Sequence, residues 1–129
     1  MRLLLDTSAL IWFTTDSPRM PEHLKDLLEA DGTETFVSFV SPWEIAIKTR
    51  LGKLDIGRPL HPDLAKLIAR NGFTMLAPDW EEVQAVMELP FYHRDPFDRM
   101  LIAQALRRRL TVLTPDSVWE LYGVSRLWN

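Results

Sequence analysis

Four acidic residues stand where apolar, strand-like segments give way to helices, and their side chains could hold a metal ion. Asp6 ends MRLLLD, Glu44 lies in VSPWEIAIK, Asp98 lies in HRDPFDRMLIAQAL, and Asp116 ends TVLTPD. Mg²⁺ prefers oxygen ligands and usually keeps several waters. A cation held in this way can polarise a phosphodiester and activate a water. The residue types and their positions therefore favour a small metal-dependent nuclease.

The periodicity of the apolar residues predicts that strands and helices alternate along the chain. The expected strands are Leu3–Leu5, Phe36–Ser38, Thr74–Leu76, Thr111–Leu113 and Val124–Leu127, and the expected helices are Thr7–Thr14, Glu22–Ala30, Pro42–Leu51, Leu60–Arg70, Trp80–Glu88, Pro96–Arg108 and a short Ser117–Tyr122. Such alternation predicts an α/β layer fold with a mainly parallel sheet. Ligands in such folds lie beyond the carboxyl ends of the strands, so we expect the four acids to converge at one sheet edge.

Length and composition indicate one domain over residues 1–129. The chain has 129 residues, of which 47% are hydrophobic, and single domains most often have about 100–150 residues. The absence of cysteine excludes disulfides, thiolate-bound zinc and cysteine nucleophiles. No histidine pair has the spacing of zinc ligands. No segment has the length of a spanning helix or the pattern of a secretory signal, so the expected compartment is the cytoplasm.

The charge pattern is compatible with a nucleic-acid substrate, although the net charge of −3 argues weakly against a constitutive nucleic-acid binder. Catalytic acids contribute to that count, and a bound cation would offset part of it locally. The basic residues cluster in three groups: Lys48, Arg50 and Lys53; Arg94 and Arg99; and Arg107 to Arg109. Such clusters could hold a phosphate backbone. The alternative interpretation is that these basic residues lie on solvated helix faces, or in the last turns of helices, where a cation is favourable.

Each acid also has a purely structural interpretation at a helix start. The candidate caps are Asp6 or Thr7, Ser41 in a capping box with Glu44, Asp95 before Pro96, and Asp116. The segment Asp79-Trp80-Glu81-Glu82 has the same pattern and looks like a plain cap. A helix N-terminus stabilises an ionised carboxylate, so capping and metal binding are compatible. Spacing alone leaves both roles open.

The order of the motifs resembles one known family. LLLDTSALIWF, SPWEIAIK, HRDPFDRMLIAQA and LTVLTPD…YGV resemble the PIN-domain ribonucleases, specifically the VapC-type toxins of type II toxin–antitoxin pairs. The resemblance runs from Met1 to about Val124 and implies a PIN-like three-layer α/β/α fold around a central, mainly parallel sheet. It places the family's four acids on Asp6, Glu44, Asp98 and Asp116, and its hydroxyl residue on Thr114.

The resemblance implies a Mg²⁺- or Mn²⁺-dependent endoribonuclease that hydrolyses RNA, with tRNA or rRNA as the expected substrates. Asp6 and Asp98 would bind the metal directly, and Asp116 would bind it directly or through water. Glu44 would bind at the far side or orient the attacking water. Thr114 would hydrogen-bond a carboxylate or a metal-bound water. The resemblance also implies a VapB-like antitoxin as partner, and a homodimer.

Several residues near the acids keep two interpretations. Asp95 fits a helix cap better than a fifth carboxylate, because Pro96 follows it directly. His93 and Arg94 could meet RNA or form an exposed loop pair. We expect Trp80 and Phe97 to pack in the core, whereas Trp12, Phe13 and the early helices could form a groove for a partner segment.

Two other classes of function fit the sequence less well. One is another metal-dependent phosphoryl-transfer enzyme, but Ser8 stands where a haloacid-dehalogenase-like phosphatase would have its second Asp. A response-regulator receiver would need an acidic pair near the first strand and a late Lys, and neither is present. The other class is a non-catalytic PIN-like binding module, against which the complete acidic quartet argues. Metal affinity separates such a module from the nuclease.

Overall fold

The computed structural model describes residues 1–55 and 63–129, which form five strands and six α-helices. In chain order they are β1 Arg2–Leu5, α1 Thr7–Thr14, α2 Glu22–Glu29, β2 Glu34–Ser38, α3 Val40–Arg50, α4 Ala65–Arg70, β3 Thr74–Leu76, α5 Trp80–Glu88, α6 Pro96–Arg108, β4 Thr111–Leu113 and β5 Arg126–Leu127, with a 3-10 helix at Ser117–Tyr122 before β5. The predicted helix Leu60–Arg70 begins outside the described residues, and its described part is α4.

The sheet is parallel throughout and has the strand order β3-β2-β1-β4-β5. Alternate residues of β1 point to opposite faces. Leu3 and Leu5 join one buried cluster with α1, α2 and α4. Leu4 joins a second cluster with α6 and Trp119. Helices therefore cover both faces, and the predicted three-layer α/β/α fold is confirmed.

The strand order places β1 between β2 and β4, and this arrangement creates the crevice that can hold a ligand. The chain leaves β1 toward β2 on one side and returns to β4 on the other. Connections that diverge from neighbouring strands in this way open a gap at the carboxyl ends of the strands. Asp6 follows β1 directly, and Asp116 comes three residues after β4. Both acids therefore stand at this gap.

Helix α3 begins earlier than the sequence indicated, and the predicted capping box at Ser41 is wrong. The helix starts at Val40, and Ser38 accepts a hydrogen bond from the Val40 amide at 3.1 Å. Ser41 consequently lies inside the first turn, where its hydroxyl turns toward the hydroxyl of Thr7. Glu44 is thus one full turn into the helix, and its carboxylate is free of any capping role.

The expectation that Trp80 packs in the core is also wrong, because its side chain is 75% exposed. The face of α5 that meets α6 carries Glu82 instead. This glutamate completes a capping box with Asp79, and its carboxylate pairs with Arg108 at 2.6 Å. An ion pair between a buried glutamate and a partly exposed arginine therefore lies where α5 meets α6. Phe97, in contrast, is partly buried and packs against the second cluster.

Among residues 1–55 and 63–129, no helix is long and apolar enough to cross a membrane.

Candidate active site

All four predicted acids line one cavity beyond the carboxyl ends of β1 and β4. The cavity has a volume of about 320 Å³. Its polar lining consists of Asp6, Thr7, Ser8, Glu44, Lys48, Lys53, Asp95, Asp98 and Asp116. The acids come from four parts of the chain, namely the turn after β1, helix α3, the first turn of α6 and the turn after β4. The structure therefore brings together the carboxylates that the sequence separates.

Two of these acids cap helices and face the cavity at the same time. Asp6 accepts a hydrogen bond from the Ala9 amide at 2.7 Å, and Asp116 accepts one from the Val118 amide at 3.0 Å. A cap fixes the side chain and stabilises its charge. Asp6 and Asp116 therefore cap helices while they line the cavity, and one role does not exclude the other.

At the start of α6 the two roles are divided between two residues. Asp95 is the cap, because its carboxylate accepts hydrogen bonds from the amides of Phe97 and Asp98 at 2.8 and 3.2 Å. The side chain of Asp98 makes no capping bond and points to the other acids. Asp95 lies at the rim of the same cavity. Its capping bonds agree with the sequence interpretation.

Asp6 is the most buried aspartate of the set, with 5% of its surface exposed. Burial raises its pKa from an ordinary 3.8 to about 6. Hydrogen bonds from the Thr114 hydroxyl and the Ala9 amide offset part of this rise, while the charges of Glu44 and Asp116 add to it. The site therefore holds Asp6 in a place where ionisation is costly without added positive charge.

Asp98 shows the same effect more strongly. Burial raises its pKa from 3.8 to about 8, and the negative charges of Asp6, Asp95, Glu44 and Asp116 raise it further, in that order. Carboxylates that hinder one another's ionisation are short of positive charge, and a hard divalent cation would supply it through the oxygen ligands it prefers. The donor set thus fits Mg²⁺ or Mn²⁺.

Glu44 uses both carboxylate oxygens within the protein. Its Oε1 accepts the Thr7 hydroxyl at 2.6 Å, and its Oε2 accepts the ammonium of Lys48 one turn along α3. Thr7 also contacts the Ser41 hydroxyl at 3.0 Å. Each carboxylate oxygen has two acceptor sites, so these contacts leave room for a further ligand. Glu44 is therefore fixed by α1 and α3 before anything binds.

Lys48 is a cation that, within the described segments, lies directly against the acids of the cavity. Its burial lowers its pKa, but the hydrogen bond and charge of Glu44, with the charges of Asp95 and Asp98, outweigh that and raise the pKa above its ordinary value. Its ammonium lies 3.9 Å from Asp95 Oδ2 and 5.9 Å from the centre of the Phe97 ring. The charge of Lys48 is thus secured at the cavity.

Thr114 connects two of the acids. The residue is fully buried at the end of β4, and its hydroxyl oxygen accepts the Asp116 amide at 3.1 Å. The same hydroxyl donates to Asp6 and thereby lowers the pKa of that carboxyl. These contacts agree with the role that the sequence resemblance gave it, a residue that orients carboxylates.

His93 is the site residue whose place the sequence left undecided. Its Nε2 lies 2.9 Å from Asp116 Oδ2 and 3.0 Å from Asp98 Oδ2. Among the described residues these three side chains form a group that could hold a metal ion, with ligand atoms within 4.8 Å of one another. The only signal in the sequence is a histidine two residues before a helix cap. Arg94, its neighbour, is exposed.

Two residues of the basic clusters make structural contacts within the fold. Arg99 is only 5% exposed, and its guanidinium donates to the carbonyls of Val86, Leu89, Pro90 and His93. Arg108 pairs with Glu82. For Arg99 and Arg108 these contacts favour the structural interpretation over contact with phosphate. Lys48 and Lys53 are the basic residues that line the described cavity.

Comparison with known proteins agrees with this geometry. The family model of the PIN domain matches residues 3–124, and the chain belongs to that family. No curated protein matches it in sequence. The family match and the fold together confirm the resemblance drawn from the four motifs.

Solved structures share the fold at low identity. A chain of VapBC2 from Rickettsia felis, bound to a DNA fragment from their promoter, is 13% identical with a TM-score of 0.75, and 100% of both chains is covered. A chain of DNA-bound VapBC from Salmonella typhimurium is 17% identical with a TM-score of 0.70, covering 98% of this chain and 97% of that one. A chain of FitAB bound to an IR36 DNA fragment is 19% identical with a TM-score of 0.63, covering 97% and 93%.

Proposed function

We propose that this protein is a Mg²⁺- or Mn²⁺-dependent endoribonuclease and the toxin of a type II toxin–antitoxin pair. The observation that carries the proposal is the meeting of Asp6, Glu44, Asp98 and Asp116 around one cavity of about 320 Å³. Membership of the PIN family supports it. The raised pKa values of Asp6 and Asp98 support it further, because burial and the neighbouring acids make these carboxylates costly to ionise unless positive charge is added.

In the proposed site, Asp6, Asp98 and Asp116 would hold the cation, with Asp116 binding directly or through water. When bound, the cation would supply positive charge to the phosphate and activate a water. Glu44 would bind the cation at the far side of the site or orient that water. Thr114 keeps Asp6 and Asp116 in place through its hydroxyl.

The substrate backbone would be bound by the two lysines of the cavity. Lys48 is held by Glu44 at the edge of the acidic set, and Lys53 lines the same cavity. Lysine binds phosphate as a point charge, so these residues would attract the backbone without reading base sequence. An acidic protein with a net charge of −3 can in this way place positive charge where the substrate enters.

Cleavage of RNA tests the enzymatic part of the proposal. Purified protein is incubated with total bacterial RNA in Mg²⁺, in Mn²⁺ and in EDTA, beside Asp6→Asn. We expect discrete fragments that require the metal and are absent with the variant, and their ends would identify a tRNA or rRNA target. Intact RNA from a folded, metal-binding sample would instead favour another phosphoryl substrate. Intact RNA without metal binding would favour a non-catalytic binding module.

The toxin role is tested in cells. Expression of the wild-type chain in a bacterial cytoplasm should arrest growth, and expression of Asp6→Asn should not. A VapB-like antitoxin should restore growth and bind the toxin with a defined stoichiometry. We further propose that the toxin is a homodimer, which light scattering of the purified protein would detect. Normal growth at a toxin level that cleaves RNA in vitro would argue against the toxin role.

A further inference from the structure

We infer that His93 is a positioning residue that donates its Nε2 proton to Asp116, beside Asp98, and so sets the geometry of the proposed metal site. The inference rests on the proposed function for its consequence, but the hydrogen bonds that carry it lie within the chain. The alternative is that His93 is itself a metal ligand through the same nitrogen. The contacts of its other nitrogen distinguish the two.

The Nδ1 atom of His93 faces a donor. The backbone amide of Asp95 lies 3.2 Å from it and points its proton at it. An amide proton needs an acceptor, so Nδ1 carries no proton in this arrangement. In the neutral imidazole one nitrogen carries the proton and the other accepts. The proton is therefore on Nε2, which faces the two carboxylates at 2.9 and 3.0 Å.

The same contact disfavours the ligand role. A histidine that binds a cation through Nε2 must carry its proton on Nδ1. That proton would then face the Asp95 amide, and two donors would meet. The Asp95 amide cannot easily move, because the Asp95 carboxylate caps α6 through the amides of Phe97 and Asp98. The helix start thus fixes the tautomer.

The main chain of His93 is fixed as firmly as its ring. Its amide donates to the Tyr122 hydroxyl at 2.8 Å, and that hydroxyl donates to the Pro90 carbonyl at 2.6 Å. The buried guanidinium of Arg99 donates to the His93 carbonyl at 3.2 Å. These contacts tie the residue to α6 and to the 3-10 helix. The backbone that carries the imidazole is therefore fixed, and rotation of the ring away from the acids would break its bonds to Asp116 and to the Asp95 amide.

The hydrogen bond from Nε2 has a specific effect on the site. It fixes the carboxylate of Asp116 beyond β4, while the same nitrogen lies 3.0 Å from Asp98 at the start of α6, although 18 positions separate the two acids in sequence. Each carboxylate oxygen accepts at two sites, so the donated proton leaves acceptor capacity for a cation. Residues that orient ligands in this way typically change metal affinity or activity by about 10–100-fold when they are lost.

The tautomer can be measured on the wild-type protein without any activity. The protein has three histidines, and long-range ¹H–¹⁵N spectra of ¹⁵N-histidine-labelled protein report which ring nitrogen carries the proton. The signal that disappears in His93→Gln belongs to His93. We expect the proton on Nε2 both without metal and with saturating Mg²⁺. A proton on Nδ1, or loss of the Nε2 proton when Mg²⁺ is added, would overturn the inference.

Variants test the consequence for the metal. Calorimetry with Mn²⁺ alone should show affinity weakened by about 10–100-fold in His93→Leu and largely retained in His93→Gln, whose amide can still donate. His23→Leu is the matched control, because His23 is exposed on α2, outside the cavity. Wild-type affinity in a folded His93→Leu protein would overturn the inference. Equal losses in His93→Gln and His93→Leu would support a ligand role instead.

The two proposals fail in different ways. If the wild-type protein binds no Mn²⁺, the proposed function is wrong, while the Nε2 tautomer would still stand. If wild-type protein binds Mn²⁺ and cleaves RNA but His93 carries its proton on Nδ1, the nuclease stands and the role of His93 is wrong.

Discussion

The hydroxyl of Thr7 lies 2.6 Å from Oε1 of Glu44, although 37 positions separate the two residues. Thr7 is the first residue of α1, directly after Asp6, and Glu44 lies in α3 and lines the same cavity. The bond therefore ties the helix that carries the first acid to the helix that carries the second. Both residues are buried, so neither partner can turn to water if the bond is lost.

Removal of this bond should weaken both the fold and the site. Thr7→Val keeps the shape of the side chain but leaves Oε1 of Glu44 without its donor. Loss of a buried hydrogen bond to a charged group costs about 1.5–3 kcal/mol. We expect the free energy of unfolding in urea to fall by about that amount, with slower RNA cleavage. Thr33→Val is the control, since Thr33 lies in a turn far from the cavity. Unchanged stability of Thr7→Val would show that the bond contributes nothing.

Neutralising a crowded acid should abolish activity and stabilise the fold. Asp6→Asn and Asp98→Asn each remove one negative charge from a cluster whose members raise one another's pKa. Without metal, at about pH 9 where the cluster is ionised, both variants should melt above the wild-type temperature. Both should fail to cleave RNA in Mg²⁺ or Mn²⁺. Asp26→Asn, on the exposed face of α2, should change neither property. Wild-type cleavage by Asp98→Asn would contradict the site assignment.

The raised pKa values also predict how stability depends on pH. Asp6 rises from 3.8 to about 6 and Asp98 from 3.8 to about 8, so between these limits the folded state binds more protons than the unfolded state. The free energy of unfolding of metal-free protein should therefore fall as pH rises from about 4 to about 8. Saturating Mg²⁺ should reduce this fall, because the cation binds the ionised folded state.

Urea denaturation across that pH range measures the effect. Asp98→Asn should lose most of the fall between about pH 6 and pH 8, the interval that separates the raised pKa of Asp6 from that of Asp98. Asp26→Asn should keep the wild-type profile. A metal-free wild-type protein that becomes more stable from pH 4 to pH 8 would contradict the sign of both shifts.

Arg99 should be intolerant of lysine. Its guanidinium reaches four main-chain carbonyls, whereas an ammonium cannot match this planar, forked geometry. We expect Arg99→Lys to lower the free energy of unfolding by about 2–3 kcal/mol and to slow cleavage, because the segment that carries His93 loosens. Arg107→Lys, on the exposed side of the same helix, is the control. Equal stability of Arg99→Lys and wild type would contradict this role.

Much of the fold follows from local sequence signals. The bounds of α1, α5, α6, β3 and β4 agree with the predicted ones, because each of these elements has regular apolar spacing and most begin at an Asp or follow a turn. The start of α3 differs from the predicted one because Ser38, at the end of β2, accepts a hydrogen bond from the Val40 amide. That contact depends on how the strand enters the helix, which local spacing does not describe.

The site, like the fold, was predictable from the sequence only in part. Motif order identified the four acids and Thr114, and the strand order brings them together. The roles of His93 and Arg99 were not predictable, since each depends on partners that are distant in sequence. The imidazole of His93 contacts Asp116, and the guanidinium of Arg99 donates to main-chain carbonyls between residues 86 and 93. The exposure of Trp80 was missed for a related reason: the Glu82–Arg108 pair that occupies the interface is visible only when α5 and α6 pack together.

Calorimetric titration of metal-free protein with Mn²⁺, at about pH 8, tests most directly whether this acidic cluster is a metal site. Wild type and Asp26→Asn should bind Mn²⁺ with the same affinity, and Mg²⁺ should compete. Asp98→Asn should lose measurable binding, since it removes a carboxylate that faces the three other acids. Absence of Mn²⁺ binding by the folded wild-type protein, or wild-type affinity in Asp98→Asn, would contradict the account.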